Sequence, residues 1–305
     1  MTSTAYLLIS HGSRDPRHLM AINRLAQLVR ERLNPALVSP WSSQGVVEPL
    51  MVESRVSKAG GEGFLKNNVP QRVISSVMTA TPVVTQAVVS QPRFPQDRFI
   101  VGTAVLDFGL YPLHQQICEF GRRLSSAGIE RLHLVPLFLL KGKHVMQDIP
   151  DQVELARNAL DGLIELNLGG HIGEAHGMPE LITTRFFHSP ESGRLIVAHG
   201  SRRTRGNRGV DHLAKSLGTA VAYWTKEADI ETQAIHLMQQ GCSTLTIFPY
   251  FLFAGGITDA VAHLTEELAE RFPRTNFRLL PPLGATVDLA NLVVGSLGHS
   301  AADQL

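Results

Sequence analysis

The sequence has few cysteines, since only Cys118 and Cys242 occur among its 305 residues. The two lie far apart, and each stands in an apolar stretch typical of a helix or a strand. This pattern excludes a disulfide framework and a CxxC cluster, and it favours buried thiols. We therefore expect a reducing compartment, the cytoplasm.

An excess of charge of either sign is also missing. Lys and Arg together number 28, Asp and Glu number 27, and the formal net charge is +1. No bulk electrostatic attraction draws such a chain to nucleic acid or to an anionic membrane. We expect neither as a partner.

Long hydrophobic runs are absent, and none approaches the roughly 20 residues that a membrane-spanning helix needs. The start of the chain, MTSTAYLLISHGSR, has no basic segment, and Ser10 and His11 end its apolar run after five residues. We interpret this run as a buried β-strand and not as a signal peptide.

Three short motifs occur twice in the same order, which indicates an internal duplication. HGSR at 11–14 recurs at 199–202, each copy following an apolar run. VGTAVLDF from Val101 resembles LGTAVAYW from Leu217, and VPLFLLKG from Val135 resembles FPYFLFAG from Phe248. This alignment places Asp107 opposite Tyr223 and His144 opposite Ile257.

Helix-like segments separate these motifs in both halves, with apolar residues at intervals of three and four. Alternating short strands and helices predict an α/β fold with parallel sheets, which bind ligands at the carboxyl ends of their strands. Turn-forming residues cluster near 168–193, so we expect an N-terminal domain over 1–180 and a C-terminal domain over 190–305.

One segment lacks a counterpart in the second half. His11 is 90 positions from Val101, whereas His199 is 18 positions from Leu217. The extra residues, about 39–97, show no clear periodicity over much of their length. We predict a surface insertion that is partly flexible.

Three residues at predicted strand ends suggest a metal site. His11 follows the first strand, Asp107 ends TAVLDF, and His144 follows PLFLL and a glycine. Two imidazoles and a carboxylate with open positions suit a metal that is held and then released. Taken singly, a histidine is more often a core or capping residue, and an aspartate at a strand end is usually a helix cap or a solvated surface group.

The second half keeps His199 without such partners, so this histidine is interpreted as structural or as facing the ligand, and the chemistry is assigned to the first half. Arginines follow both HGS turns, where they suit carboxylates or phosphates unless they are simply solvated: Arg14, Arg202, Arg203 and Arg205. Five further histidines fall in helix-like stretches and are given surface or helix-end roles, with His114 held in reserve: His18, His114, His212, His236 and His263.

The motifs LLISHGSRDPR, TAVLDF, PLFLLKGKHVMQDIP, LIVAHGSRR and PYFLFAGGITDA resemble the sirohydrochlorin chelatases of the CbiX and SirB type. The resemblance covers nearly the whole chain outside the insertion. It implies two tandem flavodoxin-like (Rossmann-like) domains with a cleft between them. It also implies the ATP-independent insertion of a divalent metal, Co²⁺, Fe²⁺ or Ni²⁺, into sirohydrochlorin or a related tetrapyrrole, in sirohaem or cobalamin biosynthesis.

Carried over by motif, the metal-binding and catalytic residues implied are His11, His144 and Asp107. The family usually has glutamate where this chain has Asp107, which is one methylene shorter. Contacts to the carboxylate-rich macrocycle are assigned to Ser13, Arg14, Gly142, Ser201 and Arg202. With two cysteines and the tail GHSAADQL, we expect no iron–sulfur cluster, no metal-storage tract and no permanently bound cofactor, and we expect a monomer.

Two other functions are compatible with parts of the pattern. A non-catalytic tetrapyrrole or metal carrier would use the same cleft without turnover. A two-domain solute receptor of the periplasmic type shares the alternating α/β pattern. The lack of a signal peptide and the paired histidines argue against the receptor.

Overall fold

A computed structural model describes residues 4–34, 99–186, 193–201, 204–226 and 228–299. All of them belong to one compact unit, formed by residues 1–38 and 94–305. The predicted insertion at 39–97 lies outside the described residues. Among the described helices, none combines the length and the apolar character needed to cross a membrane.

The first half forms a parallel four-stranded sheet with the order β2-β1-β3-β4. Its elements in chain order are β1 (Thr4–Ser10), α1 (Pro16–Leu33), β2 (Phe99–Val105), α2 (Leu113–Ser126), β3 (Arg131–Pro136), α3 (Ile149–Leu160) and β4 (Glu165–Leu168). A single π-helical turn, His144–Asp148, leads directly into α3. A 3₁₀ turn, Ile172–Glu174, and α4 (Met178–Phe186) follow β4.

The second half repeats this architecture with the order β6-β5-β7-β8, again parallel throughout. Its elements are β5 (Gly193–Ala198), α5 (Thr204–Ser216), β6 (Ala220–Tyr223), α6 (Asp229–Gln239), β7 (Thr244–Tyr250), α7 (Gly256–Arg271), β8 (Asn276–Leu279) and α8 (Val287–His299). The same strand order in both halves confirms the predicted duplication and the α/β class. The domain bounds 1–180 and 190–305 remain a prediction.

Both faces of each sheet are covered, as the apolar strands predict. In β1, Tyr6 and Leu8 point into one hydrophobic cluster, while Leu7 and Ile9 point into another together with residues of α2 and α3. The first of these clusters also contains Ile196 of β5 and residues of α1, α4, α5 and α8. The two halves therefore share one core on one side of their sheets.

The strand pairing corrects one part of the sequence alignment between the halves. Ser10 pairs with Val105 in the first sheet, and Ala198 pairs with Tyr223 in the second. Tyr223 is thus equivalent to Val105, and the prediction that it stands opposite Asp107 is wrong by two positions. The TAV triplet recurs, but its second copy lies two positions nearer the start of its strand.

The third repeated motif keeps the alignment predicted from the sequence. Pro136 pairs with Ile9 in the first sheet, and Pro249 pairs with Val197, the residue equivalent to Ile9, in the second. Counted on from this register, His144 corresponds to Ile257, as the sequence motif predicts.

Candidate metal centre

The backbone brings His11 and Asp107 together just beyond the ends of β1 and β2. The parallel ladder continues past the strands, since Leu106 N donates to Ser10 O at 2.9 Å and Asp107 N donates to His11 O at 2.8 Å. The Nε2 atom of His11 lies 3.7 Å from Oδ2 of Asp107. Two candidate ligands from neighbouring strands thus meet at the carboxyl end of the sheet.

Gly12 permits this close approach. Its φ of +90° lies in the region that favours glycine, and a Cβ at this position would stand 2.0 Å from the carbonyl oxygen of Asp107. Any other residue would force the two strand ends apart. The glycine of the HGS turn is therefore a requirement of the site's geometry.

His144 completes the cluster from the π-helical turn after β3. Its ring meets that of His11 edge to face, with centroids 4.8 Å apart and an interplanar angle of 88°. Phe138 lies within 6.1 Å and 6.4 Å of the His144 and His11 rings, centroid to centroid. An aromatic side chain thus supports both imidazoles.

Each of the two histidines uses Nδ1 for a contact with an oxygen acceptor. His144 Nδ1 lies 2.8 Å from Oδ2 of Asp148, and His11 Nδ1 lies 3.3 Å from the carbonyl oxygen of Gly12. A neutral imidazole that donates from Nδ1 presents its Nε2 lone pair to a metal. In this tautomer, the Nε2 lone pairs of both histidines are available to bind a metal ion.

Lys143 binds the other oxygen of Asp148, with Nζ 3.0 Å from Oδ1. Burial acts to raise the pKa of Asp148, but the hydrogen bonds from Lys143 and His144 outweigh it and lower the pKa. Asp148 is consequently a carboxylate at neutral pH, the form that orients a histidine toward a metal in other proteins. The sequence analysis gave Asp148 no role, although an i, i+4 spacing from His144 places the two on one helical face.

One ligand atom from each of His11, Asp107 and His144 lies within 4.8 Å of the others, and no other such group occurs among the described residues. Ligands about 2.0–2.2 Å from an ion lie at most ~4.4 Å from one another, so small side-chain rotations suffice. The side chains are 47%, 50% and 39% exposed. A large planar molecule therefore has access to an ion held there.

His18 lies in the first turn of α1, in keeping with the predicted helix-end role, but it is partly buried. Its ring packs edge to face on Phe253 of the second half, with centroids 5.5 Å apart. Burial lowers the pKa of His18, and the charge of His11 lowers it further against the opposing effect of Asp15. The reserve candidate His114 lies elsewhere, with Nδ1 2.9 Å from Oε1 of Gln152.

The residues predicted to contact the substrate differ from one another in their interactions. Ser13 accepts a hydrogen bond from the amide of Asp15 at 3.0 Å, and Ser201 N donates to Asn207 Oδ1 at 2.7 Å. The Arg14 guanidinium lies 5.3 Å from the centroid of the Phe108 ring. Nothing lies within 4 Å of the position of a Cβ on Gly142. Arg202 falls outside the described residues.

The equivalent place in the second half holds weaker ligands. Thr225 N donates to His199 O at 3.0 Å, which makes Thr225 the equivalent of Asp107. His199 Nδ1 contacts the Gly200 carbonyl at 2.9 Å, as His11 contacts Gly12. With Thr225 and Ile257 in place of a carboxylate and an imidazole, the place equivalent to the triad offers one strong ligand, His199.

A cavity of about 750 Å³ lies between residues 170–184 and α8, and none of the three triad residues lines it. Acidic and imidazole side chains line it together, among them Glu174, Glu180, His171 and His176. Glu174 is paired with Lys141 and His171, so the wall of this cavity is not uniformly acidic.

Comparison with known proteins agrees with this architecture. SirB from Bacillus subtilis with Fe³⁺ superposes with a TM-score of 0.64 at 16% identity, over 99% of this chain and 96% of that chain. The cobalt complex of the sirohydrochlorin chelatase SirB from Bacillus subtilis subspecies spizizenii gives 0.61 at 16% identity, over 99% and 97%. CbiX, described as the terminal enzyme of sirohaem biosynthesis in denitrifying bacteria, gives 0.50 at 18% identity, over 99% of both chains.

No curated protein matches the chain by sequence. The CbiX family model matches twice, over residues 98–189 and over residues 193–299. The two matches coincide with the two halves of the duplication, although the first begins after β1 and so omits His11. Together they span more than half of the sequence, and the chain belongs to the CbiX family.

Proposed function

We propose that this protein is a sirohydrochlorin chelatase, which inserts a divalent metal such as Co²⁺ or Fe²⁺ into the macrocycle without ATP. The observation that carries the proposal is the convergence of His11, Asp107 and His144 at one open edge of the first sheet. Membership of the CbiX family supports it, as do structural neighbours described with Fe³⁺ and with cobalt.

Insertion exchanges two pyrrole protons for one metal ion. In this proposal, His11 and His144 bind the incoming ion through Nε2, and a carboxylate oxygen of Asp107 is the third ligand. Imidazole suits Fe²⁺, Co²⁺ and Ni²⁺ alike, so three ligands with open positions leave room for the macrocycle's nitrogens.

Protons leave as the nitrogen–metal bonds form. Each N–H bond breaks with its electron pair remaining on nitrogen, and that pair binds the metal. Asp107, or whichever histidine the metal has released, accepts the proton and passes it to water. The 3.7 Å separation from His11 supports this role for Asp107, because its shorter side chain still reaches the histidine.

The macrocycle's peripheral carboxylates need donors around the triad. We assign this role to Ser13, Arg14 and Gly142 beside the metal site, and to Ser201 and Arg202 at the second HGS turn. A Cβ on Gly206 of α5 would lie 3.9 Å from the Lys141 carbonyl oxygen, so the start of α5 approaches the loop that carries His144. This proximity supports a contribution from both halves.

We further propose that the protein works as a cytoplasmic monomer without a permanently bound cofactor. Two isolated cysteines support a reducing compartment and the absence of an iron–sulfur cluster. Light scattering gives the mass in solution, and elemental analysis of the purified protein detects any retained cluster.

The decisive experiment follows the absorbance of sirohydrochlorin under anaerobic conditions with Co²⁺, Fe²⁺ or Ni²⁺. An enzyme converts many equivalents of macrocycle per protein, above the rate of insertion without protein. A carrier gives at most one equivalent of spectral change. The His144→Ala variant serves as the matched control, and equal rates with and without the wild-type protein would overturn the proposal.

A further inference from the structure

Phe108 has an unusual conformation and position. Its φ of +60° lies in the left-handed region, which residues other than glycine, asparagine and aspartate seldom adopt. Its ring is also exposed, with 58% of the residue accessible to solvent. A strained backbone and a solvated aromatic ring both cost stability, and such features concentrate where a ligand binds.

The ring stands beside the metal triad. Phe108 directly follows Asp107, and its ring centroid lies 6.3 Å from that of His11. The Arg14 guanidinium lies 5.3 Å from the ring centroid, within the range of a cation–π interaction. In the described part of the chain, Arg14 forms neither an ion pair nor a hydrogen bond, so its donors are available to a ligand.

The loop that carries Phe108 is braced from α2. The side-chain amide of Gln116 donates to Val105 O and to Tyr111 O, both at 2.8 Å, and its oxygen accepts from Val105 N at 3.0 Å. A Cβ on Gly109 would stand 2.9 Å from this amide nitrogen, so the loop closes tightly over Gln116. The hydrogen bonds of Gln116 consequently fix the loop, while the ring of Phe108 remains exposed to solvent.

At the equivalent position, the described part of the second half has no exposed aromatic ring. By the strand register, Lys226 occupies the position of Phe108, and its Nζ lies 4.9 Å from the centroid of the Tyr223 ring, which is buried. Among the described residues, the exposed aromatic ring therefore accompanies the His11–Asp107–His144 triad and does not recur at the equivalent place in the second half.

We infer that Phe108 and Arg14 form a platform for a planar, carboxylate-bearing macrocycle, whose face or edge packs on the phenyl ring while Arg14 pairs with a peripheral carboxylate. This inference rests on the proposed function and extends it to substrate recognition. Stacking is tolerant of ring substituents, whereas the guanidinium selects for a carboxylate. The pair thus acts on binding of the macrocycle and not on the metal.

The test compares Phe108→Ala and Phe108→Gly with Phe108→Tyr. Loss of the ring should raise the KM for sirohydrochlorin about three- to tenfold at nearly constant kcat, since stacking contributes equally before and during the reaction. Glycine relieves the strained φ, so a similar KM in both truncated variants assigns the effect to the ring. Tyrosine should retain the wild-type KM, and Co²⁺ affinity should be unchanged in all three.

Arg14→Gln provides the second arm, with Leu155→Ala as a control because Leu155 is exposed on α3. Arg14→Gln should raise KM and weaken its dependence on salt, because the carboxylate pairing is lost. A wild-type KM in Phe108→Ala and Phe108→Gly would overturn the inference, as would a parallel fall in Co²⁺ affinity, which would mean that the ring only supports the triad.

Binding of metal-free sirohydrochlorin, followed by absorbance, separates this inference from the proposed function. If the wild type binds the macrocycle without turnover, the chelatase proposal fails, and the affinities of the Phe108 variants still decide whether the platform exists. If the wild type neither binds nor converts the macrocycle, both are wrong.

Discussion

Asp148 stands four residues after His144, and its Oδ2 lies 2.8 Å from Nδ1 of that histidine. The pair repeats the carboxylate–histidine arrangement that orients ligating imidazoles in metal proteins. Lys143 fixes the carboxylate from the other side at 3.0 Å. The π-helical turn brings all three side chains together at the start of α3, so the orientation of His144 is determined within one turn of chain.

Asp148→Asn should therefore lower the affinity for Co²⁺ roughly 10- to 100-fold and leave the fold intact. The amide keeps a hydrogen-bond acceptor for His144, but it loses the charge that makes the imidazole a stronger ligand. Titration of the metal-free protein with Co²⁺ measures the change. Asp151→Asn, an exposed position in the first turn of α3, is the matched control and should keep wild-type affinity.

Direct removal of the ligand should be more severe. His144→Ala is expected to reduce insertion by on the order of 100-fold or more, because a lost ligand costs more than a lost orienting partner. The side chain is 39% exposed, so the melting temperature should stay near that of the wild type. A folded His144→Ala protein with wild-type turnover would remove this residue from the mechanism.

The sequence predicts the triad because short apolar runs followed by His11, Asp107 and His144 place all three at strand ends. It aligns Tyr223 with Asp107 instead of Val105, because the recurring TAV triplet occupies different positions in β2 and β6. The contact between His18 and Phe253 joins residues far apart in the chain. The left-handed φ of Phe108 also could not be predicted, because TAVLDF contains no glycine or asparagine at this position that would indicate it.

Gly12→Ala should disrupt the metal centre through the backbone. The new Cβ would meet the Asp107 carbonyl at 2.0 Å and would adopt a φ of +90°. We expect a loss of about 1–3 kcal/mol in the free energy of unfolding and a large loss of activity. Thermal denaturation and initial rates measure the two effects.

Gly209→Ala is the control for Gly12, because Gly209 lies within α5 and nothing stands within 4 Å of a Cβ there. Alanine should be neutral or stabilising by roughly 0.5–1 kcal/mol, since it favours a helix more than glycine does. Equal behaviour of the two variants would show that the HGS turn tolerates a side chain.

Deletion of residues 46–92 should leave a folded and at least partly active enzyme. The ends of the described chain on either side of the insertion already meet, since Asn34 Nδ2 donates to Phe99 O at 3.1 Å and Asn34 Oδ1 accepts from Phe99 N at 3.2 Å. The remaining residues have only to bridge two adjacent points, and the second half forms its sheet without such a segment.

Soluble expression, melting temperature and turnover test the deletion. Asn34→Ala in the full chain is the companion variant, and it should lower the melting temperature because it removes both hydrogen bonds at this junction. Insoluble expression of the deletion variant would contradict the prediction and make the segment part of the fold.

The two HGS histidines should contribute unequally. His11→Ala should remove nearly all activity, whereas His199→Ala should leave much of it. His11 has Asp107 and His144 within ligand reach, whereas the strand register places Thr225 and Ile257 at the equivalent positions beside His199. A lone imidazole binds a divalent ion weakly, so the second half should not retain metal at working concentrations.

Initial rates at saturating sirohydrochlorin, together with Co²⁺ affinities, compare the two variants. Equal losses would mean that both halves form one shared site, and a larger loss in His199→Ala would place the chemistry in the second half.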